Sequence, residues 1–183
     1  SFAMLGPIQG PMEFDGWREE SQSWKDGAYL GAALGISPIY SVEGPEAERF
    51  FSENFVNDFP GLQVGGFRHG IMCDEQGRIM QDGVVMRIAP DEFYTCWLWP
   101  YIEYALSKGS HDAVGQNLYG ERFLFQVAGP RSLEVLERAV GGDLHDIMFG
   151  KHRIAKIGDA EVRIFRLGMA GSLAYEVHGD VSD

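Results

Sequence analysis

The chain has 183 residues, 45% of them hydrophobic and 13% aromatic, enough apolar material for a core and too much for a disordered chain. Lys and Arg number 15 against 27 Asp and Glu, a net charge of −12; this disfavours a nucleic-acid backbone or an anionic membrane as partner and leaves small ligands open. Cys73 and Cys96 form neither a disulfide framework nor a Cys-x-x-Cys metal pair, and residues 1–10 lack the basic flank of a leader, so with no apolar run near the roughly 18 residues of a membrane span a reduced, cytoplasmic setting is expected.

Residues 1–27 show no clear period and read as a wrapping arm ending in a short helix around Trp17–Trp24. A pattern then occurs twice. Ile39–Val42 is strand-like and leads through Gly44-Pro45 into a helical run, Glu46–Asn54; Phe123–Val127 leads through Gly129-Pro130 into Arg131–Val140. Proline is expected in the first helical turn, where its missing N–H costs nothing, and the glycine permits the sharp corner. Between the repeats, Phe67–Cys73 and Arg78–Ile88 flank Asp74-Glu75-Gln76-Gly77 as a hairpin, a turn at Pro90–Glu92 leads to the strand Phe93–Leu98, and Tyr101–Ser107 reads as a helix. After the second repeat, Arg153–Ile157 and Glu161–Phe165 flank the tight turn Gly158-Asp159, and Ala174–Val177 is the last strand. Interspersed strands and helices with mostly antiparallel pairing predict an α+β fold built from two related strand–Gly-Pro–helix units. Residues 1–48 with 119–183 are expected to form one subdomain and 49–118 an inserted one. The chain opens on Ser1 and stops shortly after a strand, and reads as a fragment.

No Gly-x-Gly-x-x-Gly or Gly-x-x-x-x-Gly-Lys motif offers a phosphate cradle, the five histidines lack the spacing of a zinc helix, and no serine has a nucleophile-elbow context. No metal site is expected. Asp82 stands out because it interrupts the apolar strand Ile79–Val85. Local chemistry favours an edge-strand acid or an Asp-Gly turn; the functional alternative is a carboxylate held against a ligand amine in a partly apolar cleft. Glu176 follows the loop Gly168-Met169-Ala170-Gly171-Ser172 and reads either as a solvated strand end or as a carboxylate accepting paired hydrogen bonds from a 2-amino-4-oxo heterocycle. The aromatic group Phe93, Tyr94, Trp97, Trp99, Tyr101 and Tyr104 suits a core, or a stacking surface for a planar ligand.

Taken in order, residues 42–47 (Val-Glu-Gly-Pro-Glu-Ala), 77–85 (Gly-Arg-Ile-Met-Gln-Asp-Gly-Val-Val), 87–93, 127–130 (Val-Ala-Gly-Pro) and 166–171 leading to Tyr175-Glu176 resemble the glycine cleavage T-protein (aminomethyltransferase) superfamily over nearly the whole chain. Aminomethyltransferases usually carry Asp-Asp where this chain has Gln81-Asp82, and Tyr-Thr-Gly-Glu where it has Met169-Ala170-Gly171-Ser172. These departures, with the Trp17–Lys25 stretch, are more similar to tetrahydrofolate-dependent aryl O-demethylases of the vanillate or syringate type. The resemblance implies a folate-binding part followed in the family by a C-terminal barrel, with tetrahydrofolate as cofactor and a small-molecule methyl donor. It places Asp82 near the reactive folate nitrogens as a catalytic carboxylate that positions them electrostatically, and Glu176, Met169 and Tyr175 at the cofactor, Glu176 gripping the pterin edge; it names no proton donor to the ether oxygen. It implies methyl transfer from an aryl methyl ether to N5 of tetrahydrofolate. The alternatives within the superfamily are a glycine-cleavage aminomethyltransferase, which needs a lipoyl-carrying partner protein, and a non-enzymatic folate-binding factor in iron–sulfur cluster assembly.

Overall fold

In a computed structural model of the chain, describing residues 2–5, 8–11, 13–31, 39–168 and 171–182, the two Gly-Pro dipeptides make the same corner. Gly44 (φ +141°) and Gly129 (φ +117°) take a backbone conformation that L side chains rarely adopt, and a Cβ at either would lie 2.5 Å from a carbonyl oxygen, that of Asp112 or of Gly27. Ala47 N–H donates to the Gly44 carbonyl and Ser132 N–H to that of Gly129, each at 3.0 Å, closing a four-residue turn with proline in second place. There its fixed φ fits the turn. The helices start after this turn, with Glu46 and Arg131 as N-caps. Proline therefore sits just outside the helix, not in its first turn as expected.

In chain order the elements are β1 (Phe2–Leu5), β2 (Ile8–Pro11), α1 (Trp17–Asp26), β3 (Tyr29–Gly31), β4 (Ile39–Glu43), α2 (Ala47–Asn54), β5 (Phe67–Cys73), β6 (Ile79–Ala89), β7 (Glu92–Cys96), α3 (Tyr101–Lys108), β8 (Val114–Asn117), β9 (Arg122–Ala128), α4 (Ser132–Val140), β10 (His152–Ile157), β11 (Ala160–Phe165) and β12 (Ala174–Asp180). The fold is α+β, as the sequence predicts. The chain forms two units, Ser37–Tyr119, and Ser1–Ile36 with Gly120–Asp183. Their sheets run β5-β6-β7-β4-β8 and β10-β11-β12-β9-β3, and β1 pairs with β2 in a separate hairpin. The order strand, helix, three strands recurs with the same neighbours, so β4–β7 and β9–β12 repeat one motif. The corner of each motif is buttressed alike: Glu46 N–H donates to the Asp112 carbonyl ahead of β8, and Arg131 N–H to the Gly27 carbonyl ahead of β3.

Three features differ from expectation. The first boundary lies at residue 36, not 48, because β4 is paired on both sides within the Ser37–Tyr119 unit, with β7 and with β8. The strands β3 and β8 were not legible, since they are short and the sequence of β8, Val-Gly-Gln-Asn, is exposed throughout. The strand expected over Phe93–Leu98 stops at Cys96, where Trp97 turns the chain with φ 70°.

Strand alternation sends one face of each sheet to its helix. In the Ser37–Tyr119 unit, Tyr40, Val42, Val85 and Phe93 meet Phe50 and Phe51 of α2 in the core. The Phe51 ring lies 4.8–5.4 Å from Phe50, Phe55, Phe59 and Phe93, each buried ring contributing about 1.5–3 kcal/mol. In the other unit, Val127, Val162, Ile164, Tyr175 and Val177 meet Leu136 of α4 with Leu144 and Ile147. Among the described residues no helix is long and apolar enough to cross a membrane.

Candidate functional site

The face of the second sheet turned away from α4 is unusually polar for its burial. Cross-strand register lines up His152, Phe165, Glu176, Gln126 and Gly31 in one row over β10, β11, β12, β9 and β3. The next row on the same face holds Ile154, Arg163, His178 and Leu124. Glu176 is 6% exposed, Gln126 5% and His178 4%, which removes the solvated strand end as a reading of Glu176. A buried carboxylate costs several kcal/mol, on the order of 2–7 for a polar group without partners, unless it is hydrogen-bonded.

Its partner is His178, whose Nε2 lies 3.1 Å from Glu176 Oε2. His178 Nδ1 is buried without a partner among the described residues, so a proton there would be an unpaired buried donor. The ring proton therefore sits on Nε2 and is donated to the carboxylate. Phe165 fixes the ring: its centroid is 4.4 Å from that of His178 and 4.5 Å from that of His152, whose Nδ1 lies 3.2 Å from Arg163 Nη1.

On the other side, the Tyr29 hydroxyl donates to Gln126 Oε1 (3.3 Å). Burial raises the Tyr29 pKa above its usual value, keeping the hydroxyl a donor. That hydroxyl lies over Gly31, where a Cβ would come within 2.3 Å of it. With Oε1 engaged, the Gln126 amide N–H groups donate to no described residue, and Glu176 Oε1 makes no hydrogen bond to another described residue. An acceptor and a donor thus stand side by side. Trp24 completes this wall: it stacks on Tyr29 (5.0 Å, 15°) and its Nε1–H donates to Ser172 Oγ (2.7 Å). A cavity of about 450 Å³ opens beside it, lined by Phe149, Arg166, Gly168, Gly171, Ser172, Leu173 and Ala174; Ala174 is the next residue before Glu176 on the same face. Its volume falls within the range of small-molecule sites.

The other sequence-predicted residues land elsewhere. Tyr175 points to the opposite face from Glu176 and lies in the helix-side core, so strand alternation separates the two. Met169 lies outside the described residues. Asp82 is in β6 with its side chain 56% exposed, not in an apolar cleft. Its Oδ1 lies 3.1 Å from Nδ1 of His69 on β5. Beside it, Gln81 donates its side-chain amide to the Trp97 carbonyl. Gly83 lets β6 close on β7, since a Cβ there would lie 2.2 Å from the Cys96 carbonyl oxygen. Of the aromatic group, Phe93 is core, while Trp97, Trp99, Tyr101 and Tyr104 are exposed.

Sequence reading missed Tyr29, Gln126, His178 and His69. Only the spacing Glu176-x-His178, two residues on one strand face, was a readable signal. A third group, Glu137, Asp143 and His145, brings ligand atoms within 4.8 Å, but His145 Nδ1 already bonds both carboxylates and Glu137 accepts the Leu144 N–H. It serves as a cap after α4.

Comparison with known proteins finds the GCVT N-terminal domain over residues 13–183. A sesamin methylene transferase from Sinomonas is 50% identical over 175 residues, covering 94% of this chain and 39% of that protein. A syringate O-demethylase from Sphingobium is 25% identical over 94% of this chain and 40% of its own length. The chain thus spans about two fifths of the curated relatives it matches. A crystal structure of glycine cleavage system aminomethyltransferase T from Bartonella henselae shares the fold, with a TM-score of 0.85 at 20% identity over 100% of this chain and 50% of that one.

Proposed function

Because the chain belongs to the GCVT N-terminal domain family, we propose that it binds tetrahydrofolate and takes part in moving a one-carbon unit to it from an aryl ether, an aryl methyl ether in the first instance. The observation that carries this reading is the buried carboxylate of Glu176, held on one oxygen by His178 and, among the described residues, unbonded on the other beside the Gln126 amide. The edge of a 2-amino-4-oxo heterocycle offers two N–H donors flanked by a carbonyl. Glu176 accepts the N–H groups, and Gln126 Nε2 donates to the carbonyl. Hydrogen bonds to an ionised group in a dry site are about twice as strong as neutral ones. Tetrahydrofolate, when bound, supplies the nucleophilic N5 that takes up the one-carbon unit. From the family resemblance we carry Asp82 over as the carboxylate that stabilises positive charge developing on an amine.

The names of the relatives support this donor class. The protein at 50% identity is named a methylene transferase and the one at 25% an O-demethylase. Relatives named aminomethyltransferase, such as that of Thermotoga maritima at 28% over 75% of this chain, leave a carrier-protein substrate as the competing reading. Titrating tetrahydrofolate against the protein tests the shared premise: saturable binding is expected, and no detectable binding refutes it. Turnover of aminomethylated carrier protein but not of methoxybenzoates would decide for the competing reading.

A further inference from the structure

An aryloxide is a modest leaving group, so cleaving an aryl ether calls for a proton at the ether oxygen. Asp82 accepts hydrogen bonds when ionised and cannot supply that proton. We propose that His69 is the proton donor and that Asp82 is its positioning residue; this rests on the aryl-ether reading above.

His69 and Asp82 lie on the same face of adjacent strands, on a diagonal of the register that pairs His69 with Val84 and Ile71 with Asp82. Nδ1 and Oδ1 are 3.1 Å apart. With Nδ1–H given to the carboxylate, Nε2 is the outward atom, and it has no hydrogen bond to a described residue. β5 is the edge strand of its sheet, and the His69 side chain is 63% exposed, so a substrate oxygen can approach Nε2 without displacing core. Arg68, the neighbouring cation, points to the other face and pairs with Asp58 at 3.4 Å. The platform is stiff: Gly83, next to Asp82, closes on Cys96 and Leu98 of the same unit, and Gln81 is tied to the Trp97 carbonyl. A carboxylate that fixes the tautomer and orientation of an imidazole whose far nitrogen handles the proton is a general arrangement for acid–base catalysis.

The step balances as follows. The bond between the ether oxygen and the one-carbon unit breaks, and its electron pair stays on oxygen. That oxygen takes the Nε2 proton of the His69 imidazolium and leaves as a neutral phenol. The one-carbon unit bonds to the acceptor amine, and the N–H proton that the amine gives up returns to His69 through solvent. No oxidant or reductant is needed.

The test uses a series of aryl methyl ethers from nitro-substituted to alkoxy-substituted rings, with saturating tetrahydrofolate. His69→Asn should lose about 10²- to 10⁴-fold in kcat on the least acidic phenols, little on the nitro-substituted ones, and nothing in tetrahydrofolate affinity. An equal loss across the series, or none, overturns the assignment. Separately, ¹⁵N NMR of the His69 ring should show the proton on Nδ1 in the wild type and its loss from Nδ1 in Asp82→Asn; a ring unaffected by that change refutes the dyad without reference to turnover. If the protein binds tetrahydrofolate but cleaves no aryl ether, the donor class proposed above fails and this assignment with it. If ethers are cleaved with no leaving-group effect of His69, only this assignment fails.

Discussion

Replacing Glu176 by Gln keeps the volume and the strand but exchanges an acceptor for a mixed group. The site is 6% exposed and its neighbour His178 donates from Nε2, so the new amide turns its oxygen to His178. Its NH2 then faces the N–H donors of the ligand. One charge-assisted hydrogen bond is lost outright, worth about 1.5–3 kcal/mol, and the donor–donor contact adds to this. At about 1.4 kcal/mol per tenfold change, tetrahydrofolate should bind roughly 10- to 150-fold more weakly. Calorimetric titration of wild type and Glu176→Gln measures it, with far-UV circular dichroism to confirm the fold. A change smaller than about threefold would refute the claim that this carboxylate grips the ligand.

Asp82→Asn should leave the fold intact, since the side chain is largely exposed, yet lower turnover with tetrahydrofolate and an aryl ether; unchanged turnover and folate affinity would refute a role for Asp82. Gly83→Ala puts a methyl group 2.2 Å from the Cys96 carbonyl oxygen, a backbone atom that cannot give way, and should cost about 1–3 kcal/mol, read as a lower urea midpoint. The Asp143 hydrogen bond, with the Glu137 charge, raises the His145 pKa above its usual value. A raised folded pKa means that the stabilisation is complete below the unfolded value of about 6.5 and is lost as pH rises through the folded value. The melting temperature should therefore fall as pH rises above that range, and His145→Ala should flatten the fall; an unaltered slope would contradict it.

The repeat was legible because each copy announces itself with a dipeptide whose geometry permits few alternatives. Gly44-Pro45 and Gly129-Pro130 predicted two related corners, and both formed, although the proline serves a turn and not the helix. What the sequence hid is set by pairing between distant residues. The boundary expected at residue 48 depended on where β4 finds its neighbours, and these are β7 and β8, far along the chain. The same holds at the site. Glu176 was visible as a carboxylate at a strand start after a glycine-containing loop, but the burial that decides its role comes from the sheet. Gln126 and Tyr29 gather round it only through register, while His178 stands two residues along the same face of β12. The resemblance put Tyr175 beside Glu176 at the cofactor, and the two-residue period of a strand sends it to the face opposite Glu176. Asp82, read locally as an edge-strand acid or an Asp-Gly turn and functionally as a carboxylate in a cleft, lies exposed beside His69, a partner thirteen residues earlier that only the hairpin brings near.

The most direct measurement follows a ¹³C label. Incubating the protein with tetrahydrofolate and an aryl methyl ether labelled in the methoxy carbon should move the NMR signal from the ether to a methyl on the folate nitrogen, with one phenol released per label transferred. A label that stays on the ether while tetrahydrofolate is demonstrably bound would contradict one-carbon transfer from an aryl ether.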